Sequence, residues 1–116
     1  MNDNVLSRKS FDFSLVVIAL YKQLVEEKEY VMSKQLLRCG TSVGANIFEA
    51  NYASNTKDFV YKLTISRKEV NESIYWLRLL HISQFINNSQ AEVLVGQCEE
   101  VIRILTSSIK TARKKL

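Results

Sequence analysis

Three groups of residues have types and spacing that could do chemistry. Gly40-Thr41-Ser42-Val43-Gly44 has the G-x-S-x-G form of a hydrolase nucleophile elbow. An elbow needs a strand, a sharp turn and then a helix, so that the hydroxyl stands clear beside a base. Here the pattern runs inside unbroken helical spacing, so Ser42 reads as a small packing residue. Glu49, Glu69 and Glu72 could meet in a helical bundle and hold a metal. Bundle metal sites combine carboxylates with Glu-x-x-His motifs. The residue three before the single histidine, His81, is Arg78. Carboxylates without a histidine make a weak donor set, and His81 reads as a surface or capping residue at a helix end. No phosphate-binding glycine loop or zinc-ligand spacing is present. The expectation is a non-enzyme with no catalytic residue, no metal and no cofactor.

The third group is basic. Residues 101–116 hold Arg103, Lys110, Arg113, Lys114 and Lys115 and no acid, against a net charge of +4 for the whole chain. The charge is therefore concentrated at one end. That is a footprint for an anionic partner such as RNA or DNA, although cations also suit a helix C-terminus. Cys39 and Cys98 are far apart and form no CxxC pair. Both fall on apolar helical stripes, which favours buried thiols in a reducing cytosol over a disulfide or a metal pair.

Positioning these residues is a matter of helices. The chain has 116 residues, 47% of them apolar, with no proline and three glycines. That suits one domain (residues 1–116) of long helices with few turns. The spacing predicts helices over about residues 8–28, 32–53, 56–81 and 90–114. Phe13, Val17, Leu20 and Leu24 mark the first, with Ser7 or Ser10 near its start. Ile18, Tyr21 and Val25 add a second stripe. Leu36, Gly40, Val43, Ile47 and Ala50 mark the second helix. Its interior Gly40 and Gly44 suggest that another backbone comes close. Phe59, Leu63, Ser66, Val70, Ser73, Leu77 and Leu80 mark the third, capped by Asn55 or Thr56. Leu94, Cys98, Val101, Leu105, Ser108 and Ala112 mark the fourth, with Ser89 and Glu92 as a capping box. Short connections make neighbours antiparallel, so the expected fold is all-α, an up-down-up-down four-helix bundle.

Such a bundle needs one apolar stripe per helix. Val16, Ile18, Tyr21, Tyr61, Ile65, Tyr75, Trp76 and Leu79 exceed that need and are the expected contacts of a homo-oligomer. The longest apolar run, Leu15 to Tyr21, is too short to cross a bilayer. The N-terminus has no apolar segment of signal-peptide type. The expectation is a cytoplasmic protein without membrane contact, so the sequons at Asn71 and Asn87 would stay unglycosylated.

The second helix also carries a resemblance. Within Ser33 to Ala50, Leu37-Arg38, then Ser42, then Asn46-Ile47-Phe48-Glu49 resemble the signature of the 23S rRNA intervening-sequence proteins of bacteria. Ser10-Phe11-Asp12-Phe13 agrees in the first helix. Asp58-Phe59, Leu63, Glu69, Glu72 and Trp76-Leu77 agree in the third. The match covers most of residues 8–105. Phe48 stands where a smaller or polar residue is usual, Ala50 where glycine is common, and Gln84-Phe85 where the family reads Gly-Tyr. The resemblance implies a four-helix bundle that assembles as a pentamer and has no defined catalytic residues. A related branch serves a reverse transcriptase and is thought to bind nucleic acid.

An up-down bundle then gathers Arg8, Lys9, Lys57, Lys110, Arg113, Lys114 and Lys115 at one pole, against Asp3, Asp12, Glu49 and Asp58. A ring of subunits would repeat that excess around a rim suited to a phosphate backbone. With Arg103, these seven cations are the candidate nucleic-acid contacts. The alternative is a scaffold that docks a protein such as a polymerase, in which Tyr61, Tyr75 and Trp76 matter more than the lysines.

Overall fold

Local capping decides where each helix begins. A computed structural model describes residues 4–116 and contains α1 (Val5–Glu26), α2 (Met32–Ala50), α3 (Thr56–Ile82) and α4 (Asn88–Arg113). No strand occurs among the described residues. Asn4, Asn55 and Asn87 precede α1, α3 and α4 in extended backbone, and their side chains accept the N–H of Ser7, Asp58 and Gln90.

Asn55 is one of the two expected caps for α3; the starts of α1 and α4 differ from expectation. Asn4 starts α1 three residues before Arg8. Ser10 is no cap: it is buried inside the helix and its hydroxyl donates to the Ser7 carbonyl at 3.1 Å. The capping box of α4 is Asn87 with Gln90, not Ser89 with Glu92. The Gln90 N–H donates to Asn87 Oδ1 at 2.8 Å, and the Asn87 N–H to Gln90 Oε1 at 3.0 Å. The earlier start brings Ala91 into the buried stripe ahead of Leu94.

Helix α2 has no side-chain cap at Val31. Glu29 caps it from outside instead. Its carboxylate accepts the N–H groups of Val31 and Met32 at 3.1 Å and of Ser33 at 2.6 Å, while the Ser33 hydroxyl donates to the Glu29 carbonyl at 2.7 Å. Burial pushes the Glu29 carboxyl up. These donors outweigh burial and hold it below the ordinary value of 4.5.

Two helices end on a left-handed residue that is not glycine. Lys28 and Gln84 both have φ of 67°. In each turn the next N–H reaches back to the helix, Glu29 to the Leu24 carbonyl and Phe85 to the Leu80 carbonyl, both at 2.9 Å. Glycine would adopt this backbone at lower cost.

The connections, residues 27–31, 51–55 and 83–87, are too short for anything but antiparallel neighbours. Each helix packs on two others, in the ring α1–α2–α3–α4, and α1 meets α4 most sparsely. The bundle measures 47 × 21 × 19 Å. Its core is the expected seams, extended by Leu6, Ser33, Ile86 and Ala91, with two changes near one end: Val60 is buried in place of Phe59, and Ile109, expected beside the seam, in place of Ser108. A strict seven-residue repeat drifts against a straight helix, so the inward face slips by one residue at the ends. Cys39 and Cys98 are free thiols on the buried stripes. Burial pushes Cys98 up to about 12 and Cys39 up as well. No helix is long and apolar enough to cross a membrane, among the described residues.

Candidate nucleic-acid interface

The hydrolase-like pattern is folded away inside α2. The Ser42 hydroxyl donates to the Arg38 carbonyl at 2.8 Å and the Thr41 hydroxyl to the Leu37 carbonyl at 2.7 Å, each bonded to its own helix. His81 lies at the far end of α3, its Nε2 2.6 Å from Asn88 Oδ1. The two glycines of the pattern face α1. A Cβ on Gly40 would sit 3.0 Å from both Val17 methyl groups, and one on Gly44 3.4 Å from the Ser10 carbonyl. Gly44 thus marks a close backbone approach, as expected, whereas Gly40 meets a side chain.

The three glutamates do not converge. Arg38 bonds to Glu72 and lies 3.4 Å from Glu69, and Trp76 Nε1 donates to Glu72 at 3.0 Å. The bonds from Trp76 and Arg38 hold the Glu72 carboxyl below its ordinary range. Glu49 pairs instead with Lys62 at 2.8 Å. Among the described residues no group of His, Cys, Asp and Glu is placed to hold a metal. Deeper in the same seam, the Ser66 hydroxyl donates to the Val43 carbonyl and Ser73 to Cys39 Sγ. Arg38 with Glu69 and Glu72, and Glu49 with Lys62, therefore fasten α2 to α3, and Trp76 holds Glu72 in place within α3.

The candidate cations separate into two sets. Lys57, Lys110, Arg113, Lys114 and Lys115 are exposed at the pole where α1 and α3 begin and α2 and α4 end. None of these five makes an ion pair among the described residues. A bond of 3.2 Å from Asn51 to the Ser7 hydroxyl ties the end of α2 to the start of α1 at this pole. Lys9 and Arg103 lie further down the α1–α4 side and share Glu100, at 3.1 and 3.9 Å. Arg8 is exposed beside the α1–α2 groove. Of the opposing acids, Glu49 is taken up by Lys62, Asp12 and Asp58 remain at the pole, and Asp3 lies outside the described residues.

The expected oligomer contacts do not form one patch. Tyr61 and Tyr75 are exposed, and Val16, Ile18, Tyr21, Ile65, Trp76 and Leu79 are half-buried. Val16 and Trp76 pack on the core, while Ile18 lines a groove between α1 and α2. That groove encloses about 660 Å³ and is rimmed by Phe11 and Phe48, both exposed. Phe11 and Phe48, with exposed Tyr52, are among the exposed apolar residues that spacing did not single out. Their signal was present, because Phe11 and Phe48 are aromatic residues off the inward stripes of α1 and α2, and Tyr52 follows the end of α2.

The model of the 23S rRNA-intervening sequence protein family matches residues 2–107. The crystal structure of a protein of unknown function from the S23 ribosomal protein family of Bacteroides thetaiotaomicron is 48% identical to this chain. It covers 91% of this chain and 99% of its own, with a TM-score of 0.90. No curated protein matches. Arg38, Glu49, Glu69 and Glu72, which help carry the resemblance, also join α2 to α3, and with the family model over residues 2–107 the likeness settles the matter: the chain belongs to the 23S rRNA-intervening sequence protein family.

Proposed function

We propose that this protein is a non-enzymatic, cytoplasmic homo-oligomer that holds RNA or DNA on its basic pole. One observation carries the reading. Lys57, Lys110, Arg113, Lys114 and Lys115 gather at one end of the bundle without ion-pair partners among the described residues. Cations left in water beside one another repel, and a phosphate backbone relieves that repulsion while releasing its counterions. A ring of subunits, the pentamer that the family resemblance implies, multiplies the effect around a rim. Exposed Tyr61 and Tyr75 supply surface for the ring.

The test is binding to labelled RNA across a salt series, with light scattering for the assembly. Removing a side chain that touches a phosphate lowers the salt slope by about 1. Replacing Arg113, Lys114 and Lys115 with Ala should flatten it by about that much for each of the three that reaches the backbone. An unchanged slope removes the pole as the site. The competing reading, a scaffold docking a protein partner, draws on Tyr75, which is 56% exposed and packs edge-on to Trp76 at 5.1 Å. Partner capture that survives high salt and fails on Tyr75→Ala would favour the scaffold.

A further inference from the structure

We infer that the nucleic acid held at this pole is single-stranded, with unpaired bases stacking on Phe48 and Tyr52 at the end of α2 and on Phe11 of α1. The inference rests on the basic-pole reading and narrows its ligand.

Phe11, Phe48 and Tyr52 are 65%, 52% and 62% exposed. Six aromatic side chains are exposed among the described residues, and four of them (Phe11, Phe48, Tyr52 and Tyr61) lie in the half of the bundle that ends in the basic pole. Phe48 and Tyr52 are one helical turn apart, their ring centres 5.3 Å from each other and their planes tilted by 50°. They do not stack face to face, so ring faces remain open. Phe11 stands across the groove from Phe48, with Ile18, Gly44 and Ala45 along its length. Gly44 and Ala45 project little or no side chain into that space.

Cations alone would serve a duplex equally well. A duplex hides its base faces in its own stack and offers these rings nothing. An unpaired strand offers a charged backbone for Lys57, Lys110, Arg113, Lys114 and Lys115 and a flat apolar face for each ring. Stacking of this kind is tolerant of sequence and contributes about 1–3 kcal/mol per base. The bundle is 21 × 19 Å across, so one strand can touch rings and lysines together. The groove's own rim is electrically balanced, with Arg8 and Asp12 both lining it. The charge that draws the strand therefore comes from the adjoining pole.

The experiment uses the full chain with labelled oligo(U) and oligo(dT) of about 12 nucleotides, within the range of single-strand site sizes, and with the matching duplexes. Either strand should bind at least tenfold tighter than its duplex at equal salt, and the ratio of the two strands tells RNA from DNA. The double variant Phe48→Leu/Tyr52→Leu keeps apolar bulk on two exposed positions. It should weaken strand binding tenfold or more and leave duplex affinity and the salt slope as they were, with helix content checked by circular dichroism. Equal affinity for strand and duplex, or a double variant that binds strands as the parent does, overturns the inference and leaves the basic-pole reading standing. No binding of any of the four probes at low salt overturns both.

Discussion

Helix α2 is joined to its two neighbours by opposite means. Toward α1 it presents Gly40 and Gly44, and the seam is a matter of space: Val17 fills the room at Gly40, and the Ser10 carbonyl approaches Gly44. Toward α3 it presents Arg38, Cys39 and Glu49, and the seam is a matter of polar partners, Glu69, Glu72, Ser73 and Lys62. The first leaves an open apolar groove at its outer edge, and the second closes its edge with ion pairs. Close-packed interiors resist added volume far more than exposed ion pairs resist removal. Part of the family signature lies on the polar seam. Its charged members, Arg38, Glu49, Glu69 and Glu72, record how two helices are fastened, while the candidate cations Lys57, Lys110, Arg113, Lys114 and Lys115 lie on residues outside it.

The contrast can be broken by adding one side chain. Gly40→Val should destabilise the protein by about 3 kcal/mol through overpacking against Val17. Gly96, an exposed glycine inside α4 with nothing within 4 Å of a built Cβ, should give the opposite sign: Gly96→Ala should stabilise by about 1 kcal/mol. Thermal melts of the two variants decide it. Equal effects would mean that the α1–α2 seam has slack.

The next effect sits where α2 begins. Glu29→Gln should cost about 1 kcal/mol at neutral pH, since the carboxylate accepts three backbone N–H groups. The folded state holds this carboxyl below 4.5. Its contribution is therefore complete above the unfolded value and is lost as pH falls through the folded one. Urea melts from pH 7 down to about pH 3 should show the variant and the parent converging; a constant gap would show that charge has no part in the cap.

The smallest effect belongs to the polar seam. The Arg38 side chain is 52% exposed, so its pairs are screened. Arg38→Ala should cost about 0.5 kcal/mol and less in high salt. A loss as large as that of Gly40→Val would erase the difference between the seams.

Much of this was legible in the residues. Every residue the spacing placed on the main stripes of α1 and α2 is buried, because a helix repeats its facing with a fixed angle and the chain has no proline to interrupt it; Leu6, Ser10 and Ser33 extend those stripes toward the helix starts. The caps were less legible. Asn87 with Gln90 and Ser89 with Glu92 satisfy the same spacing rule, and only the packed helix tells which pair closes. The Glu29 cap was hidden further, since a glutamate three residues before a helix has no distinctive sequence pattern. Among the candidate cations, residue type could not tell Lys9 and Arg103, which share Glu100, from Lys57 and Lys110, which have no ion-pair partner among the described residues.

Local periodicity determined that four rods form, which edge of each turns inward and that neighbours run antiparallel, because these follow from near-neighbour geometry along one chain. Only the tertiary structure decided which glutamate Arg38 meets, which lysines are left outside the ion pairs and which aromatic rings stay in water. Those outcomes depend on distances between residues far apart in sequence, and pairing rules along a single helix do not contain them.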